Sequence, residues 1–90
     1  MFFMIVERFR DGDAVPVYRR FRDRGRMEAD GLRYVASWVT EDFHRCFQVM
    51  ECENRGILEQ WMARWQDLVE FEVTPVMTSA DAVAAIGPKL

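Results

Sequence analysis

The stretch from Leu32 to Glu53, LRYVASWVTEDFHRCFQVMECE, constrains the fold of this chain more than any other. Its first part, Leu32 to Val39, is rich in aromatic and β-branched residues, and Phe43 to Cys52 alternates large and polar side chains. Both patterns are typical of strands. Because turn residues, Thr40-Glu41-Asp42, separate the two parts, the stretch predicts a β-hairpin. Both of its faces mix apolar bulk with isolated polar groups, which is unusual for a sheet with one wetted face.

The register of this hairpin decides which side chains share a face. A tight turn at Glu41-Asp42 predicts the opposite pairs Trp38–Arg45, Ala36–Phe47 and Tyr34–Val49. One face then carries Leu32, Tyr34, Ala36, Trp38, Arg45, Phe47, Val49 and Glu51. A register slipped by one residue would send these side chains to the helices and bring Ser37, Cys46 and Gln48 to the other surface. Both registers are open at this stage.

The segments before the hairpin predict a strand and a helix. Phe2 to Phe9 is apolar on both faces until Glu7 and Arg8, which is typical of a strand in the middle of a sheet. Asp13 is a suitable N-terminal cap for a helix with Pro16 in its first turn. Gly25 is suited to end this helix in a left-handed conformation.

The segments after the hairpin repeat the pattern. Asn54 predicts the cap of a second helix, whose apolar stripe is Ile57, Leu58, Trp61, Met62 and Trp65. Leu68 to Met77 alternates as a strand does, and Pro75 places it at a sheet edge because proline has no N–H to donate. Ser79 begins a short tail helix that Gly87-Pro88 ends.

The predicted order is β-α-β-β-α-β with a tail helix, in a single domain covering residues 1–90. Right-handed crossovers place the first and third strands in the centre and the other two at the edges. The predicted fold class is therefore α+β: a ferredoxin-like sandwich, with two helices on one face of a four-stranded antiparallel sheet.

Charge and cysteine content narrow the classes of partner and compartment. The net charge is −3, and no apolar segment approaches a membrane span or a signal peptide. We therefore expect neither a nucleic-acid partner nor a membrane partner. Cys46 and Cys52 are six residues apart along one predicted strand, roughly 20 Å, which is too far for a disulfide. Two reduced thiols indicate a cytoplasmic protein.

Four segments carry a resemblance to a known family: MFFMIVERFRDGDAVPVYRRFRDRGRM, DGLRYVASWV, RCFQVME and WMARWQDLVEFEVTPV. With them, nearly the whole chain resembles a family of short bacterial proteins known only as a domain of unknown function. That family is similar in fold to the dimeric α/β-barrel group, in which two ferredoxin-like sheets pack face to face around a cavity. The group includes antibiotic-biosynthesis monooxygenases, stress-responsive barrel proteins and haem-degrading enzymes. The resemblance implies a homodimer and supplies no catalytic residues.

The candidate pocket is the hairpin face that carries aromatic walls and convergent polar groups, as small-molecule sites do. Its residues are Tyr34, Trp38, Arg45, Phe47 and Glu51. Desolvation could raise the pKa of Glu51, or of a neighbouring acid, enough to make a base. His44 could act as a general base or a metal ligand and Cys46 as a nucleophile, but an exposed strand-end histidine and a buried structural thiol are commoner. We expect no metal and no cofactor.

Two functions are consistent with these features. The first is a small dimeric protein that binds an apolar or aromatic ligand, or acts as an interaction module, without catalysis. The alternative is a cofactor-independent monooxygenase or isomerase acting in the inter-subunit barrel cavity. The first is favoured because only the fold resemblance supports the second.

Overall fold

A computed structural model describes all of residues 1–90, and its sheet is built around the strand β1 (Phe2–Phe9). The other strands are β2 (Arg33–Val39), β3 (Arg45–Glu51) and β4 (Val69–Val76). Their order is β2-β3-β1-β4, with every neighbouring pair antiparallel. The predicted ferredoxin-like arrangement is confirmed, including the central positions of β1 and β3. Pro75 lies in the edge strand β4, as expected for a residue that cannot donate to a ladder.

Three α-helices accompany the sheet: α1 (Val15–Arg24), α2 (Arg55–Met62) and α3 (Ser79–Ile86). The predicted helix boundaries hold at several points. Asn54 caps α2 by accepting a hydrogen bond from the Ile57 amide at 3.2 Å, and Gly25 ends α1 with φ of 70°. The chain leaves α2 earlier than the apolar stripe predicts, so Trp65 lies in the turns that follow it and is still buried.

The hydrophobic core lies between one face of the sheet and the helices α1 and α2. It is formed by twelve buried residues, among them Phe3, Ile5 and Met50 from the sheet and Val17, Leu58 and Trp61 from the helices. The helix-covered face of β1 carries Phe3, Ile5, Glu7 and Phe9, all buried. The opposite face of the sheet carries no helix and is called the open face below.

The hairpin loop is longer than predicted. β2 ends at Val39 and β3 begins at Arg45, because Phe43 adopts a left-handed conformation and its amide donates to the Thr40 carbonyl. The two additional residues shift the register by two. Trp38 therefore pairs with Phe47 rather than with Arg45. A shift of two keeps each side chain on its predicted face.

A β-bulge corrects the prediction for Tyr34. The register breaks between Tyr34 and Ala36, so that Tyr34 pairs with Met50 while Ala36 pairs with Val49. The extra residue turns Tyr34 to the helix-covered face, where its hydroxyl lies 2.7 Å from that of Ser37. Tyr34 is thus separated from Trp38, and the predicted grouping of the two on one face is wrong.

The C-terminal helix α3 differs from the other two helices in having no buried residue. Thr78 caps it, and Val83 and Ile86 are exposed, Val83 by 68%. No helix of the chain is both long and apolar enough to cross a bilayer.

Candidate functional site

Glu7 is the acidic residue around which the candidate site is built. Strand alternation places it on the helix-covered face of β1 between Ile5 and Phe9, and only 8% of it is exposed. Cys46 of β3 lies directly opposite Glu7 in the sheet. A carboxyl group in this position is surrounded by apolar side chains, so its charged form is expensive to keep.

Gln48 provides the hydrogen bond that compensates Glu7. The Gln48 side-chain amide, itself buried, donates to the carboxylate of Glu7 at 2.7 Å. Burial raises the pKa of Glu7 from 4.5 to about 7, and hydrogen bonds from Cys46 and Gln48 together with the charge of Arg26 limit the rise. Glu7 is therefore divided between its acid and its base form at neutral pH.

A cavity of about 140 Å³ opens beside Glu7 between the sheet and the helices. Eight of its twelve lining residues are hydrophobic, and the lining is Glu7, Phe9, Val17, Tyr18, Phe21, Arg26, Ser37, Val39, Cys46, Gln48, Trp61 and Trp65. A dry cavity of about 150 Å³ is known to hold benzene. The site is therefore sized for a single ring or a short chain, and it is smaller than the pockets of about 300–1,000 Å³ that hold larger ligands.

Arg26 forms a positively charged wall of this cavity. Its guanidinium carbon lies 3.8 Å from the centre of the Tyr34 ring and 5.3 Å from that of Phe21, within range of cation–π attraction. Its backbone carbonyl accepts the indole N–H groups of both Trp61 and Trp65, each at 3.0 Å. The position of Arg26 is thus fixed from the core, although it lies in the connection after α1.

Tyr18 links the cavity to the surface. Its ring makes edge-to-face contacts with Phe9 inside, at 6.3 Å between centroids, and with Phe43 of the hairpin loop, at 6.5 Å. Burial raises the pKa of the Tyr18 hydroxyl, and the nearby acidic groups of Cys46 and Glu7 raise it further. The hydroxyl is therefore neutral at physiological pH and can donate a hydrogen bond.

The predicted pocket residues lie elsewhere. Trp38, Arg45, Phe47 and Glu51 share the open face, where Trp38 is 61% exposed. The guanidinium of Arg45 lies over Phe47, 5.5 Å from its ring centre, and not over Trp38 as predicted. Glu51 accepts a hydrogen bond from Arg33 at 2.7 Å. A pocket that includes these four requires a second chain, so it stays a prediction. Tyr34 instead lies on the helix-covered side of the sheet, where its ring contacts the guanidinium of Arg26.

The histidine and the two cysteines occupy positions that do not indicate catalysis or metal binding. His44 is exposed in the hairpin loop, 3.5 Å from the Asp42 carboxylate. Cys46 is buried, and burial beside Glu7 raises the pKa of its thiol to about 12, which leaves the thiol protonated and unreactive. Cys52 is also free and donates to the Asn54 carbonyl at 3.2 Å. No three His, Cys, Asp or Glu side chains are grouped for a metal ion.

Sequence reasoning missed Glu7, although a signal was present. Every second residue of the first strand, Phe3, Ile5, Glu7 and Phe9, faces the same way, so an acid interrupts an otherwise apolar face of a central strand. Gln48 interrupts Cys46 and Met50 in the same way on the third strand. Two polar residues on the buried faces of neighbouring strands indicate a hydrogen-bonded pair in the core, because buried polar groups are nearly always hydrogen-bonded.

Three residues that the alternative register, slipped by one residue, would have exposed do line the observed cavity: Ser37, Cys46 and Gln48. The slipped register is not the reason. The strands did not slip by one residue; the cavity lies on the helix-covered side of the sheet, which these side chains face.

The arrangement combines an acid that titrates near neutral pH, a fixed cation and an apolar enclosure in a small α+β protein of ferredoxin-like topology. Such a site is suited to hold a compact polar ring and to exchange protons with it. This chain belongs to the family described as Domain of unknown function (DUF3303), whose model matches residues 1–90. No curated protein and no solved structure matches it.

Proposed function

We propose that this protein binds a small molecule, a single ring or a short chain that carries a polar group, in the cavity beside Glu7. The observation that carries the proposal is the buried carboxyl at the floor of a mostly apolar cavity. An acid in this position opposes folding once it is charged, and strongly perturbed acids in clefts are concentrated at functional sites. Gln48 donates to the carboxylate oxygen Oε1 at 2.7 Å, and the Glu7 side chain lines the cavity.

The three tryptophans offer an internal control for a binding experiment. Trp61 and Trp65 line the cavity, and Trp38 lies on the open face. In a titration with phenol or resorcinol followed by ¹H–¹⁵N NMR, we expect the indole signals of Trp61 and Trp65 to shift and that of Trp38 to stay. Shifts confined to Trp38, or saturation of none of the three, would contradict the proposal.

A cavity-filling variant sharpens the same experiment. Val17 is buried in the lining, and Val17→Phe should occupy the space that the ligand needs. Val15→Phe is the matched control, because Val15 is exposed on α1 and does not line the cavity. We expect binding to weaken at least tenfold in V17F and to be unchanged in V15F, with both proteins folded by their NMR spectra.

The pKa of Glu7 favours a second candidate, an enzyme that transfers protons without a cofactor. A general acid–base group works best with a pKa near the operating pH, and Glu7 has a pKa of about 7. Of the two activities considered from the sequence, isomerase and monooxygenase, this observation supports the isomerase. The site is then the cavity within one chain rather than one between subunits.

We also propose that two copies associate through their open faces. Phe2, Met4 and Val6 of β1 and Phe47 and Val49 of β3 are only partly buried there, beside the exposed Trp38. Four strands spaced about 4.8 Å apart, with about eight residues of roughly 3.3 Å each, present roughly 500 Å². Two such faces give about 1,000 Å², close to the 1,200–2,000 Å² of stable interfaces.

The helix α3 supplies the remaining area if it packs against the partner. An eight-residue helix is about 12 Å long and is marginal in water without tertiary contacts. The exposed Val83 and Ile86 give α3 an apolar surface to bury. Light scattering is expected to return twice the mass of one chain; a stable monomer at micromolar concentration would contradict the dimer.

The free, buried thiols of Cys46 and Cys52 support a reducing compartment such as the cytoplasm for this protein.

A further inference from the structure

The cavity holds two opposite charges that no internal contact combines into an ion pair. Glu7 accepts a hydrogen bond from Gln48, and the salt bridge that Arg26 forms is with Glu28 and not with Glu7. The Arg26 guanidinium donates no hydrogen bond within the chain, and its nearest carboxylate is that of Glu28, with Nε to Oε1 at 3.8 Å. A carboxyl group and a guanidinium that are not paired with each other therefore line one small cavity.

The placement of Arg26 suits a role at the ligand. Its side chain is only 24% exposed, so its charge is less screened than that of a surface arginine. The Tyr34 and Phe21 rings hold the guanidinium against the cavity, and the Trp61 and Trp65 indoles hold its backbone carbonyl. A group fixed in this way can stabilise charge that develops on a bound molecule without first reorganising.

We propose that this cavity enolises a carbonyl compound, with Glu7 as the catalytic base and Arg26 as the group that binds the carbonyl oxygen. The inference rests on the proposed binding site and names its substrate class: a single-ring or short-chain ketone or β-dicarbonyl. An α-hydrogen next to a carbonyl is the proton that such a pair of groups is arranged to move.

The step is balanced within the site. The Glu7 carboxylate takes a proton from the α-carbon, the C–H electron pair forms the C=C bond, and the carbonyl π pair moves to the oxygen. Arg26 donates hydrogen bonds to the resulting enolate oxygen. The Glu7 carboxylic acid then returns its proton to the same carbon, or to another atom of the enolate, which completes an exchange or an isomerisation.

None of the other polar groups around Glu7 is available as a base at neutral pH. Cys46 and Tyr18 hold their protons at neutral pH because burial raises the pKa of each. The Gln48 amide does not titrate, and Ser37 is bonded to Tyr34. Cys46 and Gln48 thus act on Glu7 as hydrogen-bond donors that keep its carboxylate form accessible.

Hydrogen exchange in D₂O tests the proposal with acetylacetone and cyclohexanone as probes. The wild-type chain should speed deuterium incorporation at the α-carbon at least tenfold over matched buffer. Glu7→Gln should abolish the acceleration and return the exchange rate to that of buffer, a loss of at least tenfold, while the Trp61 and Trp65 indole signals still report binding. Arg26→Met, which keeps the backbone carbonyl, should lower kcat and raise KM.

Matched controls come from the exposed pair Arg8 and Glu72, which lie 3.4 Å apart. Arg8→Met and Glu72→Gln should exchange like the wild type. Enolisation by Glu7 would be contradicted if Glu7→Gln still accelerated the exchange, or if the probes bound to the wild type without exchanging faster than in buffer. Either result would leave the proposed binding site unaffected. Phenol binding without binding of either carbonyl probe would overturn the carbonyl class, and failure of all probes to bind would remove the proposed function itself.

Discussion

Glu7 places a carboxyl group between Ile5 and Phe9 on a strand face that is otherwise apolar and buried. Burial penalises the charged form by more than the Gln48 amide and the Arg26 charge offset, which is why the pKa of Glu7 rises to about 7. The same residue therefore weakens the fold at high pH and, in the chemistry that we propose, transfers a proton at neutral pH.

The free energy of unfolding should depend on pH because of Glu7. Because its folded pKa of about 7 exceeds 4.5, its contribution is fully present below about pH 4.5 and is lost as pH rises through about 7. The difference corresponds to about 3 kcal/mol. Glu7→Gln, which never becomes charged, should match the wild type near pH 4 and unfold with up to about 3 kcal/mol more free energy above about pH 8.

Urea unfolding across this pH range measures the effect, with Glu72→Gln as the exposed control. The control should follow the wild-type curve. Parallel pH curves for Glu7→Gln and the wild type would show that the carboxyl is not held in an apolar environment.

At the scale of elements, the sequence predicted what depends on local chemistry. Asn54 indicated the start of α2, and Pro75 indicated an edge strand, because capping and the missing proline N–H act within a few residues. The hairpin register was wrong because Phe43, a residue that rarely adopts positive φ, does so at 61°. The bulge at Tyr34 was equally hidden, since no Gly marks it.

The residues of the candidate site were harder to predict from the sequence than the helices and strands, because their grouping depends on tertiary structure. Alternation was sufficient to place Glu7 and Gln48 on buried strand faces. The position of Arg26 at the cavity was not predictable from the sequence. Arg26 lies in the connection after α1, which is held in place by hydrogen bonds from the Trp61 and Trp65 indoles to the Arg26 carbonyl. A long-range hydrogen bond of this kind leaves no periodic pattern in the sequence.

The helix α3 carries a prediction at the same scale. A chain without residues 78–90 should lose less than about 1 kcal/mol of unfolding free energy as a monomer, because α3 buries none of its residues within the chain. Its dimer should dissociate at least tenfold more readily by sedimentation equilibrium. The double variant Val83→Glu with Ile86→Glu, which keeps the chain length, should behave in the same way; a large loss of monomer stability would place α3 on its own sheet.

At the scale of the whole molecule, the chain forms a flat layer with principal extents of 48, 30 and 17 Å. One face of the sheet is covered by helices and the other carries partly buried apolar side chains ringed by ion pairs, including Arg8–Glu72 and Arg33–Glu51. This arrangement places the cavity within the single chain and leaves the open face for the second copy that we propose.

Association through the open face should depend on Trp38. Trp38→Glu places a charge in the apolar part of that face and should raise the dimer dissociation constant at least 100-fold by sedimentation. Val15→Glu, at an exposed position on α1, is the matched control and should dissociate like the wild type. Equal dissociation of the two variants would rule out this interface.

The protonation of Glu7 is the property on which both the binding site and the proposed chemistry depend. A ¹³C NMR titration of the Glu7 side-chain carboxyl, assigned by its loss in Glu7→Gln, measures it directly. The account predicts a midpoint near the pKa of about 7 that burial produces. A midpoint at the ordinary value of 4.5 would show a solvated carboxylate and contradict the buried acid at the centre of this site.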